Sequence, residues 1–301
     1  MKILDCNKLV FLLSVAAAYF GGGTGCHSSS STDDTDSDST HATDSDTACR
    51  QVLTATFRDF TEAHPDFERD DSGWGPAVGL ILETLDEQRK PIYNKLRGDC
   101  KLNENGTCPS TDTWQNTPMW GYQDTDSDWQ AEETFFTWYR NDDEIPRPIS
   151  WFTGDEINRT IQKEILLEPN PDALNSLFFD SSLFLPLDTD EGFGPSPENT
   201  GENYLFTTEI HTQFDYVPKQ VFTFRGDDDL WIFVNDKLAL DLGGLHEPFE
   251  GTIDFDALAE DLEIVPGNRY PMDIFHAERH SPGSNFRIET NISCFVSVVP
   301  E

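Results

Sequence analysis

Three consecutive aspartates, Asp227, Asp228 and Asp229, stand directly before the apolar run Leu230-Trp231-Ile232-Phe233-Val234. A solvated turn needs only one or two aspartates beside a glycine or an asparagine. Three adjacent carboxylates repel one another unless a cation holds them, and hard cations such as calcium take carboxylate and carbonyl oxygens. The chemistry expected here is cation binding. Two polar loops bounded by strand-like segments, GGLHEPFEG (243–251) and AERHSPGSN (277–285), are candidates to share it. In a β-sandwich the loops of one end cluster, so both can meet the aspartates.

Other chemistries fit poorly. The segment His276-Ala277-Glu278-Arg279-His280 pairs two histidines around a glutamate, but the zinc-protease pattern HExxH needs the glutamate directly after the first histidine, on a helix. On an extended chain His276, Glu278 and His280 share one side, as a binding rim at best. The acids of DTDSDW from Asp124 match the first positions of a calcium-binding EF-hand loop. Trp129 then replaces the required glycine and Phe135 the closing glutamate. No nucleophile elbow, phosphate-binding loop or dinucleotide fingerprint is present, and among 56 acidic residues a pair of carboxylates carries no information about hydrolysis. The expectation is a protein that is not an enzyme.

The elements that must position these residues are strands. YLFTTEIHTQFDY, QVFTFRG, LWIFVND, KLALDL, GTIDFDAL, YPMDIFHAE and NFRIETNISCFVSVV are rich in β-branched and aromatic residues and are cut by turn residues. This pattern predicts an all-β fold, an antiparallel β-sandwich with irregular inserts. Asn235-Asp236 is a tight hairpin turn. NRTIQKEILLEP could be a short helix, but Ile161, Ile165 and Leu167 share one parity, which favours a strand. The segment from Trp114 to Trp151, with its five tryptophans, is expected to be an irregular cover over the sandwich.

Around this domain, 49–301, the sequence predicts an export signal at 1–25. Lys2 and Lys8 precede an apolar run and the small residues that lead to Cys26. The arrangement resembles a bacterial lipobox, with Cys26 as the lipidated residue, although Gly23 stands where that motif usually carries leucine. Residues 26–48 are almost wholly Ser, Thr and Asp and read as a disordered tether. The expected location is the cell surface or outer membrane, with membrane contact only through the lipid. An oxidising exterior permits disulfides, and of the three pairings open to four cysteines, Cys49–Cys294 and Cys100–Cys108 are favoured. A formal charge of -36 repels phosphate backbones and argues against nucleic-acid binding.

The motifs FTTEIHTQFDY, FTFRGDDDLWIFVNDKLALDLGGLH and YPMDIFHAERHSPGSNFRIET, together with FRDFTEAHPDFE and LFLPLDTDEGFG, resemble the fibro-slime domain from about Thr54 to Ser293. That family is related to the protective-antigen-type, jelly-roll-like sandwich of toxins, glycosidase inserts and adhesins. In the adhesin relatives two consecutive aspartates joined by a cis peptide bind calcium, which contacts sugar hydroxyls. The resemblance implies that pair at Asp227 and Asp228, with Asp229 less defined and Asn285 as a further ligand. It puts Glu278, Arg279 and His280 on the ligand-binding rim. His246 lines the same end or serves as a hydrogen-bonded structural histidine. The implied function is calcium-dependent binding of a glycan or matrix polysaccharide. The alternatives are a structural matrix component with purely structural calcium and, less favoured, a polysaccharide-acting enzyme.

Overall fold

A computed structural model describes residues 50–67, 78–94, 132–187, 191–194 and 201–298. The strands among them are β1 (Val52–Phe60), β2 (Ile81–Leu85), β3 (Pro91–Tyr93), β4 (Asn158–Leu166), β5 (Glu168–Pro169), β6 (Leu177–Ser181) and β7 (Phe206–Asp215). They continue with β8 (Val221–Gly226), β9 (Asp229–Val234), β10 (Lys237–Leu242), β11 (Phe249–Asp254), β12 (Arg269–Glu278), β13 (Phe286–Thr290) and β14 (Val296–Ser297). Two single-turn helices, α1 (Glu132–Phe135) and α2 (Phe255–Leu258), complete the set with a 3-10 turn at Asp142–Glu144.

The strands form two antiparallel sheets. One has the order β3-β2-β10-β9-β12-β7-β1-β4, with β14 also on β7; the other runs β11-β8-β13-β6-β5. This is the expected sandwich. Between the sheets Phe57, Phe206, Ile210, Leu230, Ile232 and Val234 meet Phe222, Phe224, Phe286 and Ile288 in one buried core. NRTIQKEILLEP is a strand: β4 pairs with all nine residues of β1 at the sheet edge. Asn235 and Asp236 both have positive φ (51° and 64°), the backbone of a tight two-residue hairpin.

The larger sheet is covered on its other face as well. Trp231, Phe233, Phe275 and Phe60 pack against Phe135, Trp138, Tyr139, Ile145 and Ile149. β9 is therefore buried along its whole length, which is why it carries no polar alternation. The described part of the tryptophan-rich segment is this cover, while 114–131 lie outside the described residues.

Beneath the cover lies a buried charge network. Glu209 accepts from Arg58 at 2.6 Å and from Lys90 and the His211 Nε2 at 2.5 Å, all with little exposure. The His211 Nδ1 faces Asp273 at 2.6 Å, and Asp273 in turn accepts from Arg89 at 2.5 Å. Burial disfavours the Glu209 carboxylate, but Arg58, His211 and Lys90 outweigh it and hold its pKa well below the usual range. Burial likewise opposes the His211 imidazolium, and its hydrogen bonds to Asp273 and Glu209 win and push its pKa up.

Candidate functional site

The aspartates sit where the chain crosses from one sheet to the other. Gly226 ends β8, Asp227 and Asp228 form the crossing, and Asp229 opens β9. The peptide between Asp227 and Asp228 is cis, as the resemblance implies. Gly226 is required by close approach: a Cβ there would stand 2.7 Å from the Asn285 carbonyl oxygen. Gly283, at φ +120°, passes over the Asp227 carboxylate.

The loop 277–285 does meet the aspartates. The Asn285 backbone N–H donates to Asp227 Oδ1, and its Nδ2 donates to Oδ2 at 3.0 Å. The Arg279 backbone N–H donates to Asp228 Oδ2 at 2.9 Å. The loop 243–251 arrives too, through the Gly244 N–H on Asp229 Oδ1 at 2.6 Å. Asp227 is 7% exposed and Asp228 3% exposed, so the pair stands just beneath the surface.

The remaining residues differ in role. Asp229 is fully buried and ion-paired to Arg279 Nε at 2.6 Å. Arg279 is itself buried rather than on a rim, with its guanidinium 5.0 Å from the Trp138 ring centroid. His246 is buried with Nε2 and Nδ1 each 3.0 Å from a backbone carbonyl oxygen, of Leu242 and Glu247, which is the structural alternative. His280 is half-buried at the loop, its Nδ1 2.5 Å from the Ser281 carbonyl oxygen. Of the cysteines only Cys294 lies among the described residues, and it is disulfide-bonded. Cys26, Cys49, Cys100 and Cys108 lie outside them, as does the acidic stretch from Asp124.

Glu278 is fully buried, and neither of its carboxylate oxygens has a hydrogen-bond partner of good geometry. Burial, then the Asp228 and Asp227 charges, push its pKa well above the usual range, against smaller opposing effects from Ser284 and the His280 backbone. Burial pushes Asp228 up to about 8, with Arg279 opposing and Asp229 and Asp227 adding to the rise. Four carboxylates thus share one guanidinium. Without a further cation, Glu278 folds protonated, so stability is full below its unfolded value of 4.5 and drains as pH rises towards the folded value. In chelator, Glu278→Gln is expected to flatten that fall, read by denaturant melts across the pH range. Equal slopes in wild type and variant would contradict the charge excess.

These residues fit a hard cation by the chemistry of their oxygens: the Asp227 and Asp228 carboxylates, the Asn285 amide oxygen and the loop carbonyls. Among the described residues no three His, Cys, Asp or Glu side chains form a ready-made cage. The uncompensated charge and the orphaned Glu278 are what favour a cation here.

Sequence reading missed His276. It is buried, its Nε2 donates to the Asp227 carbonyl oxygen at 3.0 Å, and burial lowers its pKa to about 4, so it is neutral. The signal was present in strand parity, because His276 follows the core residues Met272 and Ile274 at the same spacing.

Comparison with known proteins places this end of the molecule in a class. Residues 191–294 match the model of the PA14 domain, a stretch that contains the aspartates and both loops. The chain is similar to Protein psiE of Dictyostelium discoideum, 41% identical over 38% of this chain and 23% of that protein. Protein psiC of the same organism is 30% identical over 80% of this chain and 41% of its own length. The chain thus spans less than half the length of these relatives. Among solved structures, the PA14 sugar-binding domain from an RTX adhesin is 12% identical, covers 38% of this chain and 70% of its own, and has a TM-score of 0.22. A GH31 alpha-xylosidase from Xanthomonas citri is 13% identical over 31% of this chain and 12% of its own, with a TM-score of 0.20.

Proposed function

We propose that this protein is a calcium-dependent carbohydrate-binding, adhesin-like module without catalytic activity. The observation that carries the reading is the carboxylate excess at Asp227, Asp228 and Glu278, where the PA14-matching segment gathers its loops. Calcium, when bound, would neutralise these groups and offer open coordination positions to vicinal sugar hydroxyls. The protein's own part is to hold the donors still. His276 fixes the Asp227 carbonyl, Asn285 the Asp227 carboxylate, and Arg279 takes Asp229 out of the ligand set. Tethering through Cys26 and residues 26–48, and export to the cell surface, belong to the same proposal. Among the described residues no helix is long and apolar enough to cross a membrane.

The low exposure of Asp227 and Asp228 favours one other reading, a purely structural calcium in an extracellular matrix protein. A glycan array probed with the soluble domain, with calcium and then with chelator, separates the two. The adhesin reading expects glycan signals that chelator removes. A calcium-dependent rise in melting temperature with no glycan signal would replace it with the structural reading.

A further inference from the structure

A second polar feature lies apart from the aspartates. A cleft of about 570 Å³ opens beside the start of β4, lined by Asn141, Asp142, Asp143, Glu156, Asn158 and Arg159 among others. That volume is in the range of small-ligand sites. Its walls are held in place. Asn141 Oδ1 accepts from Arg58 Nε at 3.1 Å and from the Thr160 hydroxyl at 3.0 Å. Asp142 Oδ1 accepts from the Ile157 N–H at 2.6 Å and from Arg147. Opposite, Arg159 lies 4.3 Å from the Phe193 ring centroid and donates to the Gly192 carbonyl at 2.6 Å. The buried Asp59 carboxylate anchors that strip through the Phe193 N–H and Asn203.

One group in this wall has no partner. Asn158 is 1% exposed and donates through Nδ2 to the Arg140 carbonyl at 2.8 Å, whereas its Oδ1, also buried, accepts nothing. A buried amide oxygen left unpaired costs about 1–3 kcal/mol, and a donor entering the cleft relieves it. The lining offers amide, hydroxyl, carboxylate and guanidinium groups, which suit a polyhydroxylated ligand. Three carboxylates face one guanidinium, and the whole chain carries -36, so an anionic ligand is disfavoured.

The cleft also has a fixed relation to the aspartates. One register row of the larger sheet runs Asp229–Ala277–Thr207–Arg58–Thr160 across β9, β12, β7, β1 and β4. Thr160 lines the cleft. Four strand spacings make about 19 Å along the sheet.

We infer that the cleft is a second carbohydrate subsite, and that the ligand is an extended neutral polysaccharide spanning it and the aspartate loops. This rests on the carbohydrate-binding reading above and adds to it the length and charge of the glycan. Two linked subsites bind a chain that reaches both more tightly than either alone.

The test uses the soluble domain with neutral glucan and mannan oligosaccharides of increasing length, and a uronate polymer as the charged control. Affinity is expected to rise about tenfold once the chain is long enough to reach both sites, and Asp143→Ala with Arg159→Ala is expected to remove that rise. These are exposed positions, so folding is little affected. Amide NMR of the wild-type domain reads the site directly, with shifts expected at Asn141, Asn158, Arg159 and Gly192 that persist in chelator. No length dependence, no shifts at these residues, shifts lost in chelator, or tighter binding of the uronate polymer each overturns the inference. Cleft shifts without any calcium effect on binding would overturn the calcium reading alone. Calcium-dependent binding without cleft shifts would overturn the second subsite alone.

Discussion

Asp227→Ala combined with Asp228→Ala is expected to abolish calcium binding and, with it, glycan capture. The wild-type domain, titrated with calcium in a calorimeter, should show a saturable heat. At calcium one hundred times the dissociation constant the folded state gains about 2.7 kcal/mol, a rise of several degrees in melting temperature. The double variant should show neither heat nor shift. It should still fold, since it removes two carboxylates whose burial is unfavourable without a cation. Calcium heats or glycan signals unchanged in the variant would remove these aspartates from the mechanism.

The second large effect is expected far from that loop. Glu209→Gln leaves Arg58, Lys90 and His211 beneath the cover with a neutral amide in place of their shared carboxylate. Breaking a buried ion pair from one side costs about 3–5 kcal/mol, here roughly 10 °C in melting temperature. Glu289→Gln, which breaks a partly exposed pair with Arg287, is the control, at about 0–1 kcal/mol. Because the Glu209 pKa lies below its unfolded value of 4.5, its stabilisation is present above that pH and drains as pH falls further. The Gln variant should lack this part of the acid limb. A loss no larger than the control would mean that water screens the network.

The strands and their pairing were legible because turn residues and β-branched runs report local preference and parity. The aspartate crossing was legible for the opposite reason, since three adjacent like charges against an apolar strand break the ordinary pattern. What was hidden depends on contacts between residues distant in the chain. Arg279 and Asp229 are 50 positions apart, and nothing in either neighbourhood announces that Arg279 turns inward to claim Asp229. His246 had two open roles, and only its two backbone carbonyl neighbours decide for structure. The network around Glu209 joins β1, β7 and β12, and the cleft joins β4 to the Asp142 turn and to Gly192. Neither has a sequence motif, because both are made by the cover and the sheet together.

The two ends of the sandwich do different mechanical work. Arg50 and Phe295 exchange backbone hydrogen bonds, and Val296 of β14 pairs with Gln213 of β7. The six residues of β7 between Thr207, on the aspartate row, and Gln213 put about 20 Å between this end and the aspartates. A pull entering at Val52 and leaving through a ligand at the aspartates runs lengthwise along β1. That strand is laddered on one side to β4 and on the other to β7. Such a load shears many hydrogen bonds at once instead of peeling them singly. The same topology that gathers the loops at one tip therefore makes the domain a grip that resists drag.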